Sequence, residues 1–217
     1  MPPLPVALYI PNLLGYARIV LAFVGLQFAP SQPVIAVKIW ILSALLDLLD
    51  GPTARMLNQT SSFGVVLDIA ADNILRSCVW VAAAAANPSY LAISCFVLCL
   101  EWVTLVATQV HASSQHSQHW KEARQKDPRF VQAFFANNFR NPLGSLGIYG
   151  LFAANLFAYG SQHAVLVDSI PLFDLWKYVA FAGRGVAMFI ELRFCRSYIW
   201  HVLEQDSATK KVEFKTK

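Results

Sequence analysis

The fold class this sequence predicts is an all-α integral membrane bundle of about six transmembrane helices. Three observations carry it. Of 217 residues, 56% are apolar and only 14% are charged, against about 25% charged in a soluble domain. Mean hydropathy is +0.46. Long apolar stretches recur, separated by short breaks rich in Pro, Gly, Asn and Ser. Disorder is excluded, because it needs low hydrophobicity and high charge. The net charge of +4 is too small, and too scattered, to indicate nucleic-acid binding.

The first span is expected over about Leu13 to Phe28. Ala29-Pro30-Ser31-Gln32-Pro33 ends it, and the second runs from Val34 to about Leu57. The turn Asn58 to Ser62 leads into a third span, Phe63 to Ala86. Asn87-Pro88 separates it from the fourth, Tyr90 to about Val110. A polar segment, His111 to Pro142, precedes the fifth span, about Leu143 to Tyr159. The sixth, about Leu175 to Leu203, is longer than one crossing needs and leads to a basic tail over about 204–217. The whole chain, 1–217, reads as one membrane domain. No cleavable signal peptide is evident, since the first ten residues lack a basic region. Cys78, Cys95, Cys99 and Cys195 all fall in apolar stretches and read as small core residues.

Orientation follows from Lys and Arg in the connections. Lys121, Arg124, Lys126, Arg129, Arg140 and the tail lysines fall on one side of a six-span plan. The turns on the other side carry no Lys or Arg. The basic side is therefore expected to be cytosolic.

Acid inside the predicted spans is the informative feature. Asp47 and Asp50 lie in the second span, Asp68 and Asp72 in the third. An Asp at a helix centre costs about 2.5–3.5 kcal/mol on insertion scales, so something must offset four of them. The i,i+3 and i,i+4 spacings put each pair on one helix face. At about 1.5 Å per residue, Asp50 and Asp68 lie roughly 10 and 8 Å from the connecting turn, and Asp47 and Asp72 roughly 14 Å. The pairs are thus expected to meet at matched depth on adjacent antiparallel helices. Oxygen-only donors select hard cations such as Mg²⁺ or Mn²⁺, and the charge suits two ions. Arg55 and Arg76 are the alternative partners for a purely structural reading of the acids. Gly51, Ala54 and Gly64 leave room beside the acids, and Arg55 adds a fixed cation suited to phosphate. Two metals and an arginine make a diphosphate site. A cation-transport pathway fits poorly, because the acids gather near one face and no acidic relay continues to the other.

These residues spell Asp47-x-x-Asp50-Gly51-x-x-Ala54-Arg55, eight residues, then Gly64-x-x-x-Asp68-x-x-x-Asp72. All eight fixed positions resemble the signature of the CDP-alcohol phosphatidyltransferase family. Pro11-Asn12-Leu13-Leu14-Gly15-Tyr16-Ala17-Arg18-Ile19-Val20, Leu57-Asn58-Gln59 and Phe63-Gly64 are most similar to its eukaryotic phosphatidylinositol-forming branch. The resemblance is strong from about Tyr9 to Asp72 and weak beyond it. It implies transfer of a phosphatidyl group from CDP-diacylglycerol to a small polar alcohol, most simply myo-inositol, in the endoplasmic reticulum. A cytosol-facing site and a homodimer are also implied. Carried over residue by residue, Asp47, Asp50, Asp68 and Asp72 ligate two ions, and Asp72 doubles as general base. Gly51, Ala54, Arg55, Gly64, Asn12 and Arg18 hold the nucleotide and diphosphate, and Arg140 and Arg76 are candidates for the acceptor.

Two positions depart from the inositol branch. Asn73 stands where an arginine follows the last Asp, and Glu101-Trp102-Val103-Thr104 replaces a His-bearing stretch. A different acceptor such as glycerol 3-phosphate, or a non-catalytic paralogue keeping the fold, therefore stays open. Glu101 is expected to pair structurally with an arginine or to line an acceptor pocket, and Arg184, like Arg140, is a candidate to reach the acceptor's anionic site. His111, His116 and His119 read as interfacial side chains, as do Trp176, Tyr178, Tyr198 and Trp200. Asn58-Gln59-Thr60 matches a glycosylation acceptor but is expected to face the cytosol unmodified.

Overall fold

The computed structural model describes residues 5–114 and 128–215. The expectations for His116, His119, Lys121, Arg124 and Lys126 lie outside them. Six long helices make the bundle: α1 (Ile10–Phe28), α2 (Pro33–Met56), α3 (Ser62–Ala86), α4 (Leu91–Ser114), α6 (Pro142–Gly160) and α8 (Phe173–Lys215). Two short ones, α5 (Arg129–Phe135) and α7 (Ala164–Ser169), flank α6. No strand occurs among the described residues. The chain is an all-α membrane protein. By length and composition alone, α1, the stretch Pro88–Thr108 and α6 qualify as spans. The other long helices, α2, α3 and α8, carry more charge, including Asp47, Asp50, Asp68, Asp72, Arg76 and Arg184.

The helix limits follow local chemistry. Ser61 caps α3 by accepting the Gly64 amide at 3.0 Å. Asn141 caps α6 by accepting the Gly144 amide at 2.8 Å. At the end of α2, Asn58 adopts the left-handed conformation, φ 53°. The Gln59 amide reaches back to Ala54 O (2.8 Å) and the Asn58 amide to Arg55 O (3.3 Å), which is the Schellman pattern. This closure sets the tight α2–α3 turn. It also aims Gln59 Oε1 at the free Ile10 amide of α1, 2.9 Å away. The sixth helix continues through the basic tail to Lys215.

Packing differs from the sequence expectation in one respect that matters. The α2 and α3 helices are not direct neighbours along their length; α1 packs against both and separates them. Trp40 of α2 locks that contact, with its indole donating to Ala22 O at 3.1 Å and its edge on Tyr159. The Tyr159 hydroxyl donates to Ala29 O at 2.7 Å. Cys78 and Cys195 are buried, as expected, but Cys95 and Cys99 are exposed on α4. Their apolar context reflects a lipid-facing surface and not a core position.

Close approach of α6 and α8 depends on glycine. A Cβ on Gly150 would overlap the backbone of Gly183 and Arg184. Small residues allow this contact in membrane bundles. Gly150→Ala is expected to lower stability by about 1–3 kcal/mol, the usual cost of overpacking. Thermal unfolding in detergent checks this; an unchanged midpoint would show that the helices can separate freely there.

Candidate active site

The acid pairs converge, but around an arginine. Arg18 of α1 is only 1% exposed. Its guanidinium lies 2.7 Å from Asp47, 2.8 Å from Asp50 and 2.7 Å from Asp68, and it also bonds Asp72. This is the offset that four carboxylates within the helices require, and it comes from α1. Arg18 does not line the neighbouring cleft; it sits among the carboxylates. Its motif mapped it to phosphate, and periodicity gave no sign of this placement. Ser43 fixes the backbone beneath it, donating to Arg18 O at 3.1 Å.

Asp47, Asp50 and Asp68 each present an oxygen within 4.8 Å of the others. Asp72 divides its carboxylate, with one oxygen on Arg18 and the other 3.5 Å from Arg76. All four remain partly solvent-accessible, from 14% for Asp50 to 47% for Asp68. A water-borne ligand can therefore reach them although Arg18 is sealed below.

Beside the acids opens a cleft of about 180 Å³. Its lining includes Asp50, Asp68, Asn12, Gly51, Ala54, Arg55 and Gly64, so five of the six residues expected to hold nucleotide share one concavity. Gly15, Gln59, Thr60 and Ser61 also line it, which the sequence does not indicate for Gln59 beyond its place in the turn. The two glycines differ physically. A Cβ at Gly64 would meet Asn12 Oδ1 at 2.9 Å and Ser61 Oγ at 3.1 Å, so a side chain there must displace the Asn12 amide or the Ser61 cap. A Cβ at Gly51 would meet only the Arg55 guanidinium, at 3.6 Å, and its absence serves to widen the cleft. Asn12 is buried and donates to Val6 O at 2.6 Å, which pins the chain ahead of α1.

The two acceptor candidates are not brought together. Arg140 is exposed just ahead of α6. Arg76 is buried; its Nε donates to Glu101 at 3.0 Å, and its Nη2 bonds Asn73. Glu101 pairs also with Arg184, at 3.2 Å, so the structural ion pair holds with two arginines and not one.

An all-α membrane bundle with four carboxylates gathered beside a cleft, Asp50 and Asp68 lining it, defines the class, a membrane protein with a concentrated acidic site. The chain belongs to the CDP-alcohol phosphatidyltransferase family, whose sequence profile matches residues 8–161. It is similar to the human CDP-diacylglycerol–inositol 3-phosphatidyltransferase, 37% identical over 120 residues, covering 54% of this chain and 56% of that one. The enzyme of the same name from Schizosaccharomyces pombe is 29% identical over 130 residues, 60% and 55% of the two chains. A third from Arabidopsis thaliana is 33% identical over 116 residues, 52% and 51%. The match thus spans little more than half the length of these relatives. No solved structure matches the chain.

Proposed function

We propose that the protein transfers a phosphatidyl group from CDP-diacylglycerol to a small alcohol, with myo-inositol as acceptor, releasing CMP. The observation that carries this reading is the junction of the four-carboxylate cluster with a cleft lined by Asn12, Gly51, Ala54, Arg55 and Gly64. The inositol-specific names of the relatives support the acceptor.

The donor set fits Mg²⁺ or Mn²⁺. Every candidate ligand is a carboxylate oxygen, three approach within 4.8 Å, and the cluster already draws a guanidinium into its centre. Asp47, Asp50, Asp68 and Asp72 would hold two ions. When bound, such ions offset the charge of the diphosphate and of the departing CMP. The chain's own residues do the rest. Gly51 and Ala54 leave space for the nucleotide, Arg55 faces the diphosphate, and Asn12 and Gly64 shape the floor. Asp72 accepts the proton of the acceptor hydroxyl as that oxygen bonds to the β-phosphorus and the phosphorus–oxygen bond to CMP breaks.

The same reading takes residues 1–217 as one domain in the endoplasmic reticulum membrane. Its site faces the cytosol, and it works as a homodimer. Asn73 and the Glu101–Thr104 stretch, which depart from the inositol branch, favour as a second reading the same chemistry with another acceptor such as glycerol 3-phosphate. The test is a transfer assay on detergent-purified protein with CDP-diacylglycerol, Mn²⁺ or Mg²⁺, and labelled inositol, glycerol 3-phosphate or serine. Inositol-dependent lipid product and CMP are expected, and both should vanish with chelator. Product with another alcohol replaces the acceptor. Metal-dependent binding of the nucleotide lipid without product identifies a non-catalytic paralogue.

A further inference from the structure

Beneath the acid cluster lies a second ionic assembly that transfer chemistry does not absorb. Glu101 of α4 has a side chain only 2% exposed. One of its oxygens accepts from Arg76 Nε of α3 at 3.0 Å, the other from Arg184 Nη2 of α8 at 3.2 Å. Arg184 in turn gives Nη1 to Glu191 at 2.9 Å. Two arginines and two glutamates balance in charge, and Arg76 links the unit to Asp72 of the acid cluster.

Its upper member is the point of contact with the site. Arg76 follows Asp72 by one helical turn, the spacing at which an ion pair forms by default. That ion pair does form, but it is long, with Arg76 Nη1 3.5 Å from Asp72. The guanidinium is held on its other edges by Glu101 and by Asn73, and the Phe152 ring lies against it, 5.2 Å to the centroid. Asn73 is itself anchored, donating to Glu101 O at 3.4 Å.

We propose that Glu101 is a positioning residue that limits the Arg76–Asp72 ion pair to this long contact and so keeps the Asp72 carboxylate available to a divalent cation. This rests on reading Asp72 as a metal ligand. With the Glu101 charge removed, the nearest anion left to Arg76 is Asp72, one turn away. A guanidinium this buried closes its long contact with that partner and competes with the metal. The Asn73 departure then has a physical role, since an amide there fixes Arg76 where a second cation would repel it.

The test is Mn²⁺ titration of the full chain in detergent, reading free ion by electron paramagnetic resonance. Glu101→Gln is expected to weaken Mn²⁺ binding about tenfold, within the range of couplings between contacting charged residues. Glu101→Gln combined with Arg76→Gln is expected to return to within about threefold of wild type, because the diverted cation is gone. A purely structural Glu101 gives a double variant no better than the single one, and that result overturns the proposal. So does wild-type affinity in Glu101→Gln. If Glu101→Gln does not yield folded protein, Arg76→Gln carries the test from the other end. It should bind Mn²⁺ at least as well as wild type, and a loss of affinity overturns the proposal. Transfer is read in the same samples: wild-type protein that binds Mn²⁺ without turnover defeats the transfer reading and leaves this one standing. Wild-type protein that binds no Mn²⁺ defeats both.

Discussion

Asp68→Asn and Asp72→Asn are each expected to reduce transfer on the order of 10²–10³-fold or more, the range seen when one electrostatic contact to a transition state is removed. Both changes preserve volume and remove charge. Asp68 is the most exposed of the four acids and faces the cleft. Asp72 is the one whose carboxylate is divided between Arg18 and Arg76. Neither substitution should prevent folding, because Arg18 keeps its remaining carboxylate partners in each case. The assay is lipid product from CDP-diacylglycerol and inositol, alongside elution of the purified variant in detergent. Full activity in either variant would sink the assignment of the carboxylates to the reaction. Monodisperse but inactive protein is the expected pair of results.

Arg18→Gln is expected to act on stability first and to do so in a metal-dependent way. Without a divalent ion, Arg18 is the cation shared by all four carboxylates. Arg18 is buried but its partners are 14–47% exposed, so solvent screening keeps the loss below the roughly 3–5 kcal/mol of a fully buried pair. A divalent ion then stabilises the folded state by mass action, by about 2.7 kcal/mol at a hundredfold excess over Kd. The Arg18→Gln protein should therefore melt well below wild type in chelator and recover much of the difference in saturating Mn²⁺. The Mn²⁺-induced shift should exceed that of the wild type, in which the ion must share the carboxylates with Arg18. Equal shifts in both proteins would mean that Arg18 and the metal do not compete for the same oxygens. A variant unaffected in chelator would mean that the four ion pairs contribute nothing measurable.

Most of the helices were legible in the sequence because the signals that make them are local. Hydropathy over about 20 residues marks a span, and Asn, Ser, Gly and Pro mark the breaks. The expected second and third spans, Val34 to Leu57 and Phe63 to Ala86, differ by a residue or so from α2 and α3. The acid quartet was legible for the same reason, since i,i+3 and i,i+4 spacings define a face within one helix. The cleft residues Gly51, Ala54, Arg55 and Gly64 follow from the acids, being on or beside that face and at the turn joining the two helices.

Contacts between helices distant in sequence were not legible. Placing α1 between α2 and α3 brings Arg18 within reach of acids 32 and 50 residues away. Nothing in the ten residues around Arg18 distinguishes that role from phosphate binding or from a side chain reaching for the membrane surface. Glu101 invited a single arginine partner; α3 and α8 supply two, 25 and 83 residues distant. The sequence by itself determined which segments are helical and which faces carry charge, because both depend on neighbours within one or two turns. The tertiary structure decided which charge meets which, because that depends on how each helix is rotated and which helix intervenes. Those choices are made by interlocking contacts such as Trp40 on α1 and Gly150 against Gly183.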